Sequence, residues 1–313
     1  MGDGRNILVS VFVVTYNQEK YIRQCLDSIL LQKVDFDYEI VIGEDSGTDM
    51  TLSICEEYAR KYSQIRLLPK TNHLGIAGNW KRVLSECRGK YVAMCEGDDY
   101  WCDPLKLQKQ VDFLEGDINE DFVLCFHDSK VVDENNNVLN DPNKETTISK
   151  SLTSYDLMTT NNPPTQTIMF RRKYFECEKT AFMSIPSNFI TCDAVLCFLL
   201  GKHGGGCFMP QIINSAYRVH SLSTWSALSQ INMDLRLFSL YSFLQPLENR
   251  VKEYYFLRRK SFSAKIATNA IKERKIIVFL KYYFISSWLL LKSRDFKGIW
   301  NIQKGVVYNL IHK

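Results

Sequence analysis

The sequence predicts an α/β fold in which a mostly parallel sheet is flanked by helices and followed by a helical C-terminal extension. Three observations lead to this prediction. The first half alternates short, strand-like apolar runs with segments of helical periodicity. Polar or acidic turns follow the strand-like runs, at the strand ends where open parallel sheets bind ligands. From about residue 226 onward the pattern becomes long, helical and basic.

The first strand is predicted at Ile7–Val14, a nearly continuous β-branched run typical of a strand buried on both faces. Apolar residues at helical spacing follow it, from Ile22 to Leu30. A helix is then expected after a cap at Asp49 or Thr51, and another after Asp103-Pro104. The same reasoning predicts strands at Tyr38–Ile42, Ile65–Leu68 and Tyr91–Cys95 and a helix over Asn79–Cys87.

Composition excludes several classes of protein. The chain has 313 residues, of which 45% are apolar and 24% charged, so it is neither disordered nor a repeat nor a disulfide-rich miniprotein. Its net charge of +4 is unevenly spread, because residues 230–313 carry 16 Lys and Arg against 5 Asp and Glu. An acidic body with a basic end differs from the even basic coat of nucleic-acid-binding proteins, and we expect no nucleic-acid partner.

The cysteines and the apolar segments indicate a cytoplasmic location. None of the ten cysteines forms a CxxC pair, and several lie within apolar runs, as reduced core residues do. No secretory signal is visible at the N-terminus. The longest apolar segment, Ile276–Leu291, is interrupted by Lys281, and its uncharged part is too short to span a bilayer.

Two acidic turns are the strongest candidates for a site. Glu96-Gly97-Asp98-Asp99 directly follows a predicted strand, and carboxylates crowded there repel each other unless a cation neutralises them. Mg²⁺ or Mn²⁺ does so, typically with substrate phosphates completing the shell. A single such turn is commonly a solvated loop. The second acidic turn, Glu44-Asp45, ends another strand of the same sheet and favours a functional site.

The order of the segments VSVFVVTYNQEKYIRQCLDSIL, EIVIGEDSGTDMT, NHLGIAGNWKRVL and GKYVAMCEGDDYW resembles that of family-2 glycosyltransferases with the GT-A fold. The match is dense over residues 7–115 and thin over 116–225. It implies a GT-A domain over 1–225, with a nucleotide-binding half at about 1–115 and an acceptor half at about 116–225. Residues 226–313 then form the basic, aromatic helical region.

The resemblance also assigns roles to individual residues. Glu96 stands where the family's metal-binding DxD motif starts with Asp, and Met50 stands where the family usually has Gly. Asp193 is implied as the general base, and a helix N-cap is its alternative. The implied nucleotide-sugar site comprises Thr15, Tyr16, Glu19, Asp45, Asn72, Gly75, Asn79, Glu96, Asp98 and Arg218, and the implied ligands of Mn²⁺ or Mg²⁺ are Asp98, Asp99 and His220.

The implied function is metal-dependent, inverting transfer of a hexosyl-type sugar from a nucleotide-diphosphate sugar, first of all a UDP-sugar. The acceptor would be a saccharide or a lipid-linked saccharide in cell-surface polysaccharide assembly. The alternative is a catalytically silent sugar-nucleotide-binding or membrane-associated scaffold protein. Two further alternatives stay open: a structural role for His220, and core rather than pocket positions for Trp80 and Trp101.

The basic C-terminal region has two interpretations. Helices that combine Lys and Arg clusters with Phe, Tyr and Trp can lie on an anionic membrane, here the inner face of the plasma membrane. The same composition suits a helical bundle or a homodimer with solvated charges. The segment 276–291 is apolar around most of its circumference and must therefore pack against something.

Overall fold

The computed structural model describes residues 6–140, 150–159, 162–221, 223, 228–273 and 275–293. The chain divides into two compact units, residues 1–223 and 224–313. The first unit contains the sheet and every candidate site residue, and the second is helical. Each unit is described by itself below.

The main sheet of the first unit is mixed and mostly parallel. Its described strands follow the order β3-β2-β1-β4-β8-β5-β9, and β8 runs antiparallel to both of its neighbours. Strands β1, β2 and β4 are adjacent and parallel, in a register that places Thr15 opposite Glu44. The strands are β1 Val9–Thr15, β2 Tyr38–Glu44, β3 Ile65–Leu67, β4 Tyr91–Met94, β5 Phe122–Phe126, β8 Met169–Arg171 and β9 Gly205–Phe208.

A second, smaller sheet follows the order β10-β6-β7 among the described strands. It consists of β6 Ser129–Val132, β7 Val138–Asn140 and β10 Ser215–Arg218, with β10 parallel to β6. A bridge between Tyr100 and Ala216 joins the turn after β4 to β10. This bridge brings residues more than a hundred positions apart to one side of the candidate site.

Helices flank the main sheet because their apolar faces cover its two surfaces. The side chains of β1 are almost completely buried, as the continuous apolar run predicts. One core cluster joins β1, β2 and β4 to the buried faces of the first, second and fourth helices. The helices of this unit are α1 Ile22–Leu30, α2 Thr51–Lys61, α3 Gly75–Glu86, α4 Lys106–Glu115, α5 Ser154–Thr159, α6 Arg172–Met183 and α7 Cys192–Gly201.

Several predicted boundaries need correction. Helix α3 begins at Gly75, four residues before the predicted Asn79, because Gly75 takes a positive φ of 72° that turns the chain into the helix. Helix α4 begins at Lys106, although the Asp103 carboxylate accepts a hydrogen bond from the Leu105 N–H as a cap does. At α2 the first helical residue is Thr51, and its N–H donates to Asp49 Oδ1.

The ten cysteines all lie within the described residues and are free thiols. Seven of them are buried, and burial raises the pKa of thiols such as Cys87 and Cys125. They pack as small apolar side chains, as the sequence predicts.

In the described part of the second unit the α-helices are α8 Gln230–Leu244, α9 Lys252–Lys272 and α10 Ile276–Lys292. Aromatic side chains fill its core, with Tyr241 packed against both Tyr255 and Phe262. Within the part of the chain that the structure describes, no helix has the length and hydropathy that a membrane span requires.

Candidate functional site

The site lies at the carboxyl edge of β1, β2 and β4. The backbone ladder continues past the strand ends, because Asp45 N–H donates to Thr15 O at 3.0 Å and Gly97 N–H donates to Val14 O at 2.9 Å. The three polar turns after these strands are therefore held side by side. Ligands bind at this edge in open parallel sheets, where the turns can reach them.

The turn after β1 presents one buried and one exposed side chain. Thr15 is buried, and its hydroxyl donates to Gln18 Oε1 at 2.8 Å. The Tyr16 ring is exposed and packs against the His73 ring, with centroids 4.6 Å apart. An exposed aromatic ring beside a strand end offers a flat surface on which a nucleobase can stack.

Asp45 is buried beside this aromatic pair. Its Oδ1 accepts from the Leu74 N–H at 2.8 Å, and its Oδ2 lies 3.0 Å from His73 Nδ1. The carboxylate therefore holds the start of α3 and the His73 ring in place. A fixed acceptor next to a stacking ring can read the edge of a base.

Glu19, which is also predicted to bind the nucleotide sugar, forms hydrogen bonds with the residues just before α2. Its Oε2 accepts from the Met50 N–H at 2.8 Å, and its own N–H donates to Asp49 Oδ2 at 3.0 Å. These two bonds tie the turn after β1 to the start of α2. Met50, which departs from the family's usual Gly, has a φ of −78°, so the turn does not require glycine there.

The predicted residues on and before α3 fall into two groups. Asn79 is buried, and its side-chain N–H donates to Gly43 O at 2.7 Å. Gly43 is required at that point, because a Cβ would collide with Asn79 and Val83. Gly75 turns the chain into α3, and Asn72 is exposed in the preceding loop. Asn79 and Gly75 therefore shape the wall behind Asp45, and Asn72 lies at its rim.

The turn after β4 concentrates negative charge. Burial, together with the charges of Asp98 and Asp193, raises the pKa of Glu96 to about 8. Burial also raises the pKa of Asp99, with Asp98 and Glu96 adding to the effect. Asp99 Oδ1 accepts from the Arg218 N–H at 2.9 Å, and its buried Oδ2 has no hydrogen-bond partner among the described residues. A nearby cation would stabilise the ionised form of carboxylates crowded in this way.

His220 faces this turn directly. Its Nε2 lies 3.0 Å from Asp98 Oδ2, and its ring packs against Tyr21 with centroids 4.8 Å apart. Among the described residues, no three His, Cys, Asp or Glu side chains are grouped as a complete metal site. Asp98 and His220 place one carboxylate oxygen and one imidazole nitrogen side by side at the end of β4.

Arg218 lies beneath the acidic turn and is 1% exposed. Its Nε donates to Asp98 O at 2.9 Å, and its Nη2 donates to Gln24 Oε1 at 2.7 Å and Asn136 Oδ1 at 3.0 Å. The guanidinium group is therefore engaged by protein oxygens of three separate segments. This setting favours a positioning role over the phosphate contact that the resemblance implies, and that contact stays a prediction.

Asp193 is the second residue of α7, and Thr191 occupies the N-cap position without a side-chain cap bond. The alternative of Asp193 as the helix N-cap is therefore wrong, and its role as the general base stays a prediction. Burial raises the pKa of Asp193, and its charge in turn raises the pKa of Glu96. Asp193 therefore approaches the acidic turn from the α7 side.

Sequence reasoning missed two residues of the site, His73 and Tyr217. Tyr217 is half-buried on β10. Burial raises its pKa, and the charges of Glu96, Asp98, Asp99 and Asp193 add to the effect. No spacing or motif marks either residue, since both reach the site through contacts with distant segments. Trp80 and Trp101, by contrast, are buried in the core: Trp80 packs on Phe12, and Trp101 Nε1 donates to Gln166 O.

Comparison with known proteins agrees with the fold. The family model "Glycosyl transferase family 2" matches residues 10–178. An uncharacterised protein of Mycobacterium tuberculosis is 34% identical over 223 residues, which is 69% of this chain and 60% of the relative. An uncharacterised glycosyltransferase of Methanocaldococcus jannaschii is 33% identical over 141 residues, which is 44% of this chain and 47% of that protein. The chain thus spans less than two thirds of the curated relatives it matches.

Two solved structures resemble the fold. Residues 1–349 of Staphylococcus aureus TarS, in complex with UDP-GlcNAc, give a TM-score of 0.67 at 16% identity, covering 96% of this chain and 92% of that one. The mannosyltransferase PcManGT of Pyrobaculum calidifontis, in complex with GDP-Man and Mn²⁺, gives 0.57 at 15% identity, covering 99% and 91%. These likenesses confirm the predicted GT-A fold.

The chain belongs to glycosyl transferase family 2. The resemblance carried by the four sequence segments is thereby confirmed, and with it the enzyme class, a glycosyltransferase.

Proposed function

We propose that this protein is a metal-dependent, inverting glycosyltransferase that uses a nucleotide-diphosphate sugar. The observation that carries the proposal is the Asp98–His220 pair, whose Oδ2 and Nε2 atoms lie 3.0 Å apart at the carboxyl end of β4. The charge of Asp98 raises the pKa of both Glu96 and Asp99, and the charge of Asp193 also raises that of Glu96, so these carboxylates lie close to one another. The complexes of TarS with UDP-GlcNAc and of PcManGT with GDP-Man and Mn²⁺ support a donor of this class.

The nucleotide would occupy the edge formed by the turns after β1 and β2. The base would stack on the exposed Tyr16 ring, while Asp45 would accept from an N–H at the edge of the base. Uracil carries such an N–H, so a UDP-sugar is the first donor to test. The buried Thr15 and Asn79 would shape the pocket rather than contact the sugar.

The donor set fits Mn²⁺ or Mg²⁺. Asp98 and His220 supply a carboxylate oxygen and an imidazole nitrogen on the same side, and Asp99 Oδ2 is a further oxygen without a hydrogen-bond partner in the described chain. When bound, the ion would neutralise the negative charge of the leaving diphosphate. Glu96 would accept a hydrogen bond from a hydroxyl group of the sugar nucleotide.

Asp193 would act as the general base. Its carboxylate would take the proton of the acceptor hydroxyl while that oxygen bonds to the anomeric carbon and the bond from this carbon to the diphosphate breaks. The products are the lengthened acceptor and the nucleoside diphosphate, with the configuration at the anomeric carbon inverted. The raised pKa of Asp193 makes it a stronger base than an ordinary aspartate.

The acceptor would be a saccharide or a lipid-linked saccharide in cell-surface polysaccharide assembly, and the reaction would take place in the cytoplasm or at the inner face of the plasma membrane. The basic C-terminal unit supports contact with an anionic membrane, and a homodimer is the alternative. These assignments concern the role of the protein in the cell, and identifying the sugar donor is the first step in testing them.

The test is release of nucleoside diphosphate from UDP-GlcNAc, UDP-glucose, UDP-galactose and GDP-mannose, with Mn²⁺ and water as the default acceptor. We expect one donor to be hydrolysed slowly by the wild type and at least about a hundredfold more slowly by Asp193→Asn. The Asp193→Asn variant should still bind the nucleotide, which separates the base from the binding groups. Binding of UDP without release from any donor would favour the silent scaffold protein instead.

A further inference from the structure

Helix α10 of the second unit has an exposed apolar face. Its exposed large side chains are Ile277, Leu280, Phe284, Trp288 and Leu291, each between 47 and 83% exposed. Their spacing of three or four residues places them within an arc of about 80°, along roughly 21 Å of the helix. We call these five residues the α10 stripe.

The stripe is separate from the side of α10 that packs within its own unit. Tyr282, Ser286, Leu289 and Leu290 are buried, and they lie on the opposite side of the helix from the stripe. The Tyr282 ring, for example, meets Phe238 of α8 edge-on, with centroids 5.2 Å apart. Helix α10 therefore has two apolar faces. One packs within the second unit, and the other is exposed, as an interaction surface would be.

The charges beside the stripe are positive. Lys281 and Lys292 flank one edge of it, and the segment 276–292 contains no acidic residue. The Lys292 Nζ lies over the Trp288 ring, 5.2 Å from its centre, a distance at which an ammonium group is attracted to the aromatic face.

A groove of about 390 Å³ runs beside the stripe. It is lined by Phe238, Arg259, Phe284, Ile285, Trp288 and Leu289. The guanidinium of Arg259 lies 5.5 Å from the centre of the Phe238 ring, and burial lowers its pKa. Its Nε is buried without a hydrogen-bond partner among the described residues, so an anion nearby would stabilise the charge.

We propose that the α10 stripe and this groove form a docking surface for a bilayer that contains anionic phospholipids. A helix that lies in the membrane interface typically has an exposed apolar stripe with an aromatic ring near its end and lysines at its edge. The net charge of +11 over residues 230–313 complements anionic headgroups and opposes the approach of a second, equally basic copy. This surface goes beyond the proposed transfer reaction and can be tested without a donor.

The experiment is co-sedimentation of the full chain with vesicles of phosphatidylcholine alone or with about 30% phosphatidylglycerol. We expect binding to the anionic vesicles only, weakened as salt screens the lysines. The Phe284→Glu variant should lower the partition by about tenfold or more. Leu257→Glu on α9 is the matched control, because Leu257 is 47% exposed and the charge change is identical.

A second readout uses the wild-type side chains and so avoids any loss of folding. Brominated phosphatidylcholine in the anionic vesicles should quench tryptophan fluorescence of the wild type, and Trp288→Phe should remove most of that quenching. The proposal is overturned if the wild type stays in the supernatant with anionic vesicles, or if Phe284→Glu and Leu257→Glu bind alike. Equilibrium sedimentation that shows a dimer dissociated by Phe284→Glu, with no vesicle binding, would assign the surface to a second copy.

Discussion

Replacing Arg218 by methionine tests how the acidic turn is held. The side chain donates to Asp98 O, Gln24 Oε1 and Asn136 Oδ1 at 2.7–3.0 Å, and to Asp133 O at 3.2 Å. A methionine of similar length keeps the apolar packing and removes all four bonds, together with a longer one to Glu134 O at 3.4 Å. The turn after β4, the first helix and the loop after β6 would then lose their common partner.

The magnitude follows from burial. Arg218 is 1% exposed, so each acceptor that loses its partner costs about 1 kcal/mol or more. The cation also lies 4.7 Å from the centre of the Tyr21 ring and 5.4 Å from that of Tyr100, contacts that methionine replaces only in part. We expect the free energy of unfolding to fall by about 4 kcal/mol, which corresponds to roughly 8 to 16 °C in Tm.

The assay is thermal and urea unfolding of the wild type, Arg218→Met and Arg218→Lys. Lysine keeps the positive charge but lacks the planar set of donors of the guanidinium group, so we expect about half the loss in free energy of unfolding. Arg23→Met is the control, because the Arg23–Glu57 ion pair is on the surface and its loss should leave Tm unchanged. A loss below about 1 kcal/mol in Arg218→Met, with UDP binding intact, would refute the positioning role.

Three further predictions concern the turn, the core and the base. Gly97→Ala should weaken UDP binding about tenfold in calorimetry, because the new Cβ would lie 2.7 Å from the Cβ of Thr15, which cannot move without the strand; Gly116→Ala, whose nearest contact is the end of the Asn119 side chain at 3.0 Å, should not. Burial lowers the pKa of Lys106 to about 7, so the folded state binds fewer protons than the unfolded state above pH 7. The free energy of unfolding measured in urea should therefore rise by at most about 4 kcal/mol from pH 7 to 10, and this rise should be absent in Lys106→Met. Because the base must be ionised and burial raises the pKa of Asp193, the acid limb of the rate profile for donor hydrolysis should lie at a higher pH than for an ordinary aspartate.

Each of these predictions has a contrary outcome. Equal UDP affinity in Gly97→Ala would mean that the turn has room that the structure does not show. An unchanged slope of stability against pH in Lys106→Met would mean that the amine is not the group that titrates. An acid limb in the ordinary range of a carboxyl group would place the base elsewhere.

Much of the fold could be predicted because the signals are local. The buried strand at Val9–Thr15 and the strand ending in Glu44 have apolar runs of the right length, and each is followed at once by a polar turn. The start of α3 could not be predicted, because it depends on the positive φ of Gly75, which apolar periodicity does not reveal.

The candidate site was predictable to the extent that its residues follow strands. Asp45, Glu96 and Asp98 come directly after β2 and β4, so topology alone brings them together. His73 and Tyr217 have no such signal. The commitment of Arg218 to Gln24, a residue 194 positions earlier in the chain, could be seen only in the folded structure.

The central claim is that Asp98 and His220 hold a divalent ion that binds the donor diphosphate. The most direct measurement is calorimetric titration of the full chain with UDP, in Mn²⁺ and then in EDTA, for the wild type, Asp98→Asn and His220→Ala. We predict binding that requires Mn²⁺ in the wild type, is lost in Asp98→Asn and is weakened in His220→Ala, with unchanged melting temperatures in the absence of metal. Equal affinity for UDP in EDTA, or in Asp98→Asn, would contradict the metal-dependent donor site.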